Sequence, residues 1–114
     1  MTVSHMHKPP NPFADIGIEA FLEWNKSCAV RGRKCLGRAS QRHHGLIATM
    51  KRHKFLNVYI NYQPVCENCH TGTGEADYSE NRVRFYQQQC DKFGKSVVDG
   101  WIDGLPLKIK PKFE

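Results

Sequence analysis

Cys28, Cys35, Cys66 and Cys69 form two pairs, and His43, His44, Asn61 and His70 are distributed among them. The order is cysteine, six residues, cysteine, seven residues, then the double histidine. Asn61 follows, and the second cysteine pair, separated by two residues, leads straight into His70. Thiolates in close pairs are ordinary ligands of a tetrahedral zinc ion. The competing use of five cysteines is a disulfide framework, which belongs to oxidising compartments. Residues 1–11 lack the apolar run of a secretion signal, so a cytoplasmic, reducing location is expected instead. Imidazole titrates near neutrality and also ligates metals. Histidines beside a thiolate cluster therefore offer both a base for water and a seat for a divalent cation. Plainer readings stand beside this one. The thiols could be buried without metal, the two histidines could be surface groups on a nucleic-acid-binding strand, or a histidine could replace Cys35 in a mixed zinc shell.

Charge narrows the partner. The chain carries +6, and no acidic residue lies between Trp24 and Cys66, an interval that holds nine Lys and Arg. Solvated surfaces normally mix both signs, so a one-sided block fits a polyanion, with nucleic-acid phosphate as the usual choice. Arg31, Arg33, Arg38, Arg42, Lys51 and Arg52 are the candidate DNA contacts. His53, among basic residues, reads as a phosphate contact or plain surface. With 39% hydrophobic and 11% aromatic residues the chain is too apolar for disorder. Its 114 residues suit one domain, and no stretch reaches the roughly 20 apolar residues of a membrane span.

The elements that must position these groups are short. Residues 1–12 read as a flexible tail because of their prolines, with residues 13–107 as the domain and 108–114 as a basic tail. Asp15 is placed to cap a helix running to about Asn25, with Ile18, Phe21, Leu22 and Trp24 as its buried stripe. A basic loop spans Cys28 to Cys35. A strand carrying Arg42-His43-His44 is expected within Gly37–Met50, and Phe55–Tyr62 should extend into a second, which Pro64 confines to an edge. After the Cys66–Cys69 knuckle, helices are expected over about 79–103. The first runs from Asn81 to Phe93 with Val83, Tyr86, Cys90 and Phe93 inward and Gly94 as its cap. The second runs from Ser96 to Asp103 with Val97, Val98, Trp101 and Ile102 inward. Cys90 on that stripe reads as a core thiol.

Three segments, Arg42-His43-His44-Gly45-Leu46-Ile47, Asn61-Tyr-Gln-Pro-Val-Cys66 and Cys66-Glu-Asn-Cys69-His70, resemble the HNH endonuclease family in its zinc-stapled, phage-type form. The likeness covers residues 28–70 well and the helical C-terminus loosely. It implies an α+β fold with a small ββα-metal core, stapled by structural zinc on Cys28, Cys35, Cys66 and Cys69 and flanked by helices. It also implies metal-dependent hydrolysis of DNA phosphodiesters. On this likeness His44 matches the general base, and Asn61 the motif's middle asparagine, with Asn57 as a competitor four positions upstream. His43 and His70 match the ligands of a divalent cation (Mg2+, Mn2+, Ni2+ or Zn2+) that stabilises the leaving 3′ oxygen. Two features depart from the family pattern: His43 stands where many members have Asp, and the first cysteine pair is spaced by six residues rather than two. The alternative implied function is a non-catalytic zinc-dependent nucleic-acid-binding module, or an accessory protein of a phage DNA-packaging complex. Implied partners are DNA and phage packaging or recombination proteins, in the host cytoplasm.

Overall fold

The computed structural model describes residues 9–48 and 53–107. It is a small α+β fold. Helix α1 (Ile18–Trp24) precedes strand β1 (Gln41–His44). Two single 3-10 turns (Lys54–Leu56 and Tyr59–Asn61) lead into strand β2 (Tyr62–Val65). A π-helical turn (Asn68–Gly72) and a third 3-10 turn (Glu75–Asp77) lead to helix α2 (Ser79–Phe93) and helix α3 (Lys95–Asp103). Among the described residues no helix is long and apolar enough to cross a membrane.

The two strands pair antiparallel, with Gln41 opposite Val65, Arg42 opposite Pro64, His43 opposite Gln63 and His44 opposite Tyr62. In a two-stranded sheet both strands are edges, so Pro64 removes no ladder bond that a third strand would need. Its carbonyl accepts instead from Ala29 N–H at 2.8 Å, tying the cysteine loop to the hairpin.

Within Gly37–Met50 the strand occupies Gln41–His44, because a buried amide captures the backbone just beyond His44. The carboxamide of Asn61, fully buried, accepts from the N–H groups of Leu46 (3.1 Å) and Ile47 (2.8 Å) and donates to the carbonyls of Ile47 and Leu56, both at 3.0 Å. Those bonds take the backbone out of the ladder and fold it into a loop. Gly45, at the turn-off, packs so close to α2 that a Cβ would sit 2.5 Å from Phe85 Cδ2. Residues 55–61 likewise coil into the two turns rather than extending.

The main core lies between this loop and the C-terminal helices: Leu46, Ile47, Leu56, Ile60, Phe85, Val98, Ile102 and Leu105 form one buried cluster. On α2 the deep positions are Asn81, Phe85 and Gln89, whereas Tyr86, Cys90 and Phe93 are only partly buried. Apolar periodicity points to the neighbouring face because two of the inward residues are amides. Gln89 donates to Ile60 O at 2.8 Å, and Asn81 exchanges two hydrogen bonds with Gln63. Cys90 is thus a half-buried thiol against the core rather than a fully buried one. On α3, Val98 and Ile102 are buried, with Val97 and Trp101 partly so. Gly94 joins the two helices at φ 98°, accepting at its carbonyl from Val97 and Val98 and donating to Cys90 O. A side chain would be strained there.

Helix α1 starts at Ile18 behind Gly17, not behind Asp15. Asp15 accepts instead from the Tyr62 hydroxyl at 2.7 Å. A seven-residue helix has room for little deep burial, and only Phe21 is buried, edge-on to Tyr59 and Tyr62. Ile18 and Trp24 stay 37% and 38% exposed. Residue 12 already belongs to the packed part, since its carbonyl accepts from Ile60 N–H at 2.8 Å. Residues 1–8 of the expected N-terminal tail and the basic tail 108–114 lie outside the described residues.

Candidate functional site

The loop after α1 and the knuckle after β2 bring four sulfurs together. The Sγ atoms of Cys28, Cys35, Cys66 and Cys69 all lie within 4.8 Å of one another, and Cys35 and Cys66 are 3.9 Å apart. Zinc–thiolate bonds of ~2.3 Å put tetrahedral sulfurs about 3.8 Å from each other. The cluster therefore has the size and donor set for a structural metal such as zinc. Cys28, Cys66 and Cys69 are buried and Cys35 is partly so. The wide six-residue spacing is absorbed by a loop closed at its base, where Cys28 N–H donates to Gly37 O and Ser27 bridges Arg38. Within it Arg31 takes φ 56° and Gly37 φ 86°. Backbone N–H groups point at sulfur: Leu36 and Cys69 donate to Cys66 Sγ (3.4 Å each), and Gly37 donates to Cys35 Sγ at 3.3 Å. Burial pushes the Cys66 thiol up, but the Leu36 and Cys69 N–H groups, with the Cys69 and Cys28 side chains, outweigh it and hold it at about 7. Burial raises Cys35 and Cys69. Among the described residues no histidine belongs to the cluster, so the mixed shell is not what the geometry favours.

Side chains alternate along a strand, and β1 uses this to send its two histidines to opposite faces. His43, 6% exposed, lies on the face of Gln63 and meets His70, with ring centroids 5.0 Å apart. Its Nε2 is 3.1 Å from Ala76 O and 3.5 Å from the Asp77 carboxylate. Burial pushes its imidazole down to about 4, despite the opposing pull of Asp77, so the ring is neutral at pH 7 and fit to ligate a cation. His70 sits in the π-helical turn, one residue past Cys69, with Nδ1 2.8 Å from Gln41 Oε1. His44 shares the other face with Arg42 and Tyr62. Its ring is tilted against Tyr62 and its Nε2 is 2.8 Å from Asn57 Oδ1. The arrangement sets the His43 and His70 rings side by side and a third imidazole, His44, on the opposite face of the strand.

Asn61 touches no histidine side chain; its four side-chain bonds all go to the backbone of residues 46, 47 and 56. Asn57 is the amide in contact with His44. Sequence reading missed Arg82, whose Nη1 donates to the carbonyls of His44 and Gly45 at 3.0 Å each while Nη2 reaches Asp77 at 3.5 Å. It also missed Gln41, Asp77 and the Ala76 carbonyl. Asn81 is a further support, donating to Ala76 O at 2.8 Å. No spacing rule marks any of these, because they arrive from three separate elements, β1, the Glu75–Asp77 turn and α2.

Of the candidate DNA contacts, Arg31, Arg33 and Arg38 are exposed on the cysteine loop, with Arg33 3.6 Å from Glu75. Arg42 is engaged internally: it donates to Ile16 O, approaches Asp15 at 3.8 Å and lies 4.7 Å over the Tyr62 ring. Lys51 and Arg52 fall outside the described residues. Comparison with known proteins returns no matching family model, curated relative or solved structure.

Proposed function

We propose that this chain is a metal-dependent DNA endonuclease of the HNH type, with a zinc-stapled ββα-metal core. The observation that carries the reading is the convergence of His43 and His70, from β1 and from the turn after the knuckle, beside a third histidine facing the other way. His44 accepts the proton of the attacking water, acting as the general base. His43 and His70 would hold a divalent cation, and the Asp77 carboxylate lies 3.5 Å from His43 Nε2. When bound, the cation supplies charge stabilisation to the scissile phosphate and the leaving 3′ oxygen. Asn61 keeps the exit of β1 closed, and Arg82 fixes the His44 carbonyl, so the base stays in register with the cation seat. Two imidazoles are softer than a carboxylate and an imidazole, so Mn2+, Ni2+ or Zn2+ suits the pair as well as Mg2+ does. In this reading Cys28, Cys35, Cys66 and Cys69 carry the structural zinc, and the cations of the cysteine loop face the DNA backbone.

The test is cleavage of supercoiled plasmid by purified protein, wild type beside His44→Ala, with EDTA, Mg2+, Mn2+ and Ni2+ in parallel. Nicked or linear product that requires metal and disappears in His44→Ala is the expected result. If neither protein cuts but both retard DNA on a gel, the non-catalytic nucleic-acid-binding module replaces the nuclease.

A further inference from the structure

We infer that Asn57 is the positioning residue of His44: its side-chain oxygen takes the Nε2–H of the ring, leaving Nδ1 as the one nitrogen able to accept a proton. The use made of Nδ1 rests on the nuclease reading; the positioning itself does not.

An amide oxygen can only accept, so the imidazole nitrogen 2.8 Å from Asn57 Oδ1 must carry the hydrogen. Whichever ring nitrogen makes such a bond fixes the state of the other. Both ends of this contact are pinned by separate parts of the fold. Asn57 closes the Lys54–Leu56 turn with its N–H on Lys54 O, and the carbonyl just before it, Leu56 O, is held by Asn61 at 3.0 Å. His44 is fixed by strand pairing with Tyr62, by the ring contact with Tyr62 at 5.8 Å and by Arg82 on its carbonyl. Asn61, the amide with the best spacing, therefore reaches His44 only through the loop it anchors, and Asn57 makes the direct contact. The choice of nitrogen is not shared by all the histidines. His70 meets Gln41 Oε1 through Nδ1, the opposite nitrogen from the one His44 uses.

The experiment is long-range 15N–1H correlation of the histidine rings in the full-length, zinc-loaded protein without paramagnetic metal, with His44→Ala supplying the assignment. Cleavage rates are measured alongside on wild type, Asn57→Ala and Asn57→Asp. Wild type is expected to show a protected Nε2–H and an unprotonated Nδ1 for His44. In Asn57→Ala that N–H signal should be lost to solvent exchange, and kcat should fall on the order of 10-fold to 100-fold with KM nearly unchanged. Asn57→Asp keeps the acceptor and should restore the signal and most of kcat. An Nδ1–H tautomer in wild type, or an N–H signal unmoved in Asn57→Ala, overturns the inference. The wild-type spectrum alone decides it if the alanine variant does not fold. Because the tautomer is read without cleavage, a wild type with protected Nε2–H that cuts no DNA overturns the nuclease and leaves the positioning intact.

Discussion

Around the cysteines the backbone contributes N–H groups aimed at sulfur; around the histidines every engaged ring nitrogen meets an oxygen. The first arrangement makes a closed shell: four sulfurs in mutual reach, three of them on buried residues, and donors that favour thiolate. The second leaves one nitrogen of each ring uncommitted to its acceptor, and His44 and His70 remain partly exposed. Closed shells suit structural metals and open ones suit chemistry. On the nuclease proposed above, adjacent residues Cys69 and His70 serve centres with different tasks, and stability and activity should be separable by mutation.

The largest effect should come from breaking the closed shell. Cys69→Ala, or stripping the metal with a strong chelator, is expected to remove on the order of 10 kcal/mol, as much as a domain of this size holds in reserve. Loss of far-UV circular dichroism with loss of bound zinc is the expected outcome; an unchanged melt would mean the thiols are merely core. Next comes His44→Ala, which should lower cleavage by on the order of 10²–10⁴-fold while the melting temperature stays within a few degrees. A collapsed fold in that variant would contradict the separation.

Asn61→Ala is the substitution that should blur it. It leaves the N–H groups of Leu46 and Ile47 and the carbonyls of Ile47 and Leu56 without their partner. At about 1–3 kcal/mol for each buried group left unsatisfied, the melting temperature should drop by on the order of 10 °C or more, with activity falling too. A melt equal to wild type would show that the loop finds other partners. The smallest effect belongs to the cysteine loop's cations. Arg31→Ala and Arg38→Ala should leave stability unchanged and reduce the slope of log affinity against log salt by about 0.9 for each phosphate no longer neutralised. An unchanged slope would take that loop out of the interface.

The cysteine cluster was legible because four ligands at short spacings leave few other uses, and even the wide Cys28–Cys35 loop closes as the chemistry requires. The two C-terminal helices were legible from apolar period and glycine stops, although Phe85, the deepest apolar side chain of α2, does not stand out from its neighbours by period alone. What no spacing could reveal is the set of oxygen acceptors. Gln41, Asn57 and the Ala76 carbonyl sit on a strand and two separate turns, and only tertiary packing decides which oxygen reaches which ring. Where β1 stops after His44 was illegible for the same reason, since a buried amide far downstream, Asn61, captures the backbone there.

That amide grips Ile47 and Leu56, the two ends of the intervening stretch, within a single side chain. The backbone at Ile47 and the backbone at Leu56 are thereby held to each other through one carboxamide. One side chain thus works as a buckle, and a change at residue 61 is felt at once by the exit of β1 and by the turn that Asn57 closes.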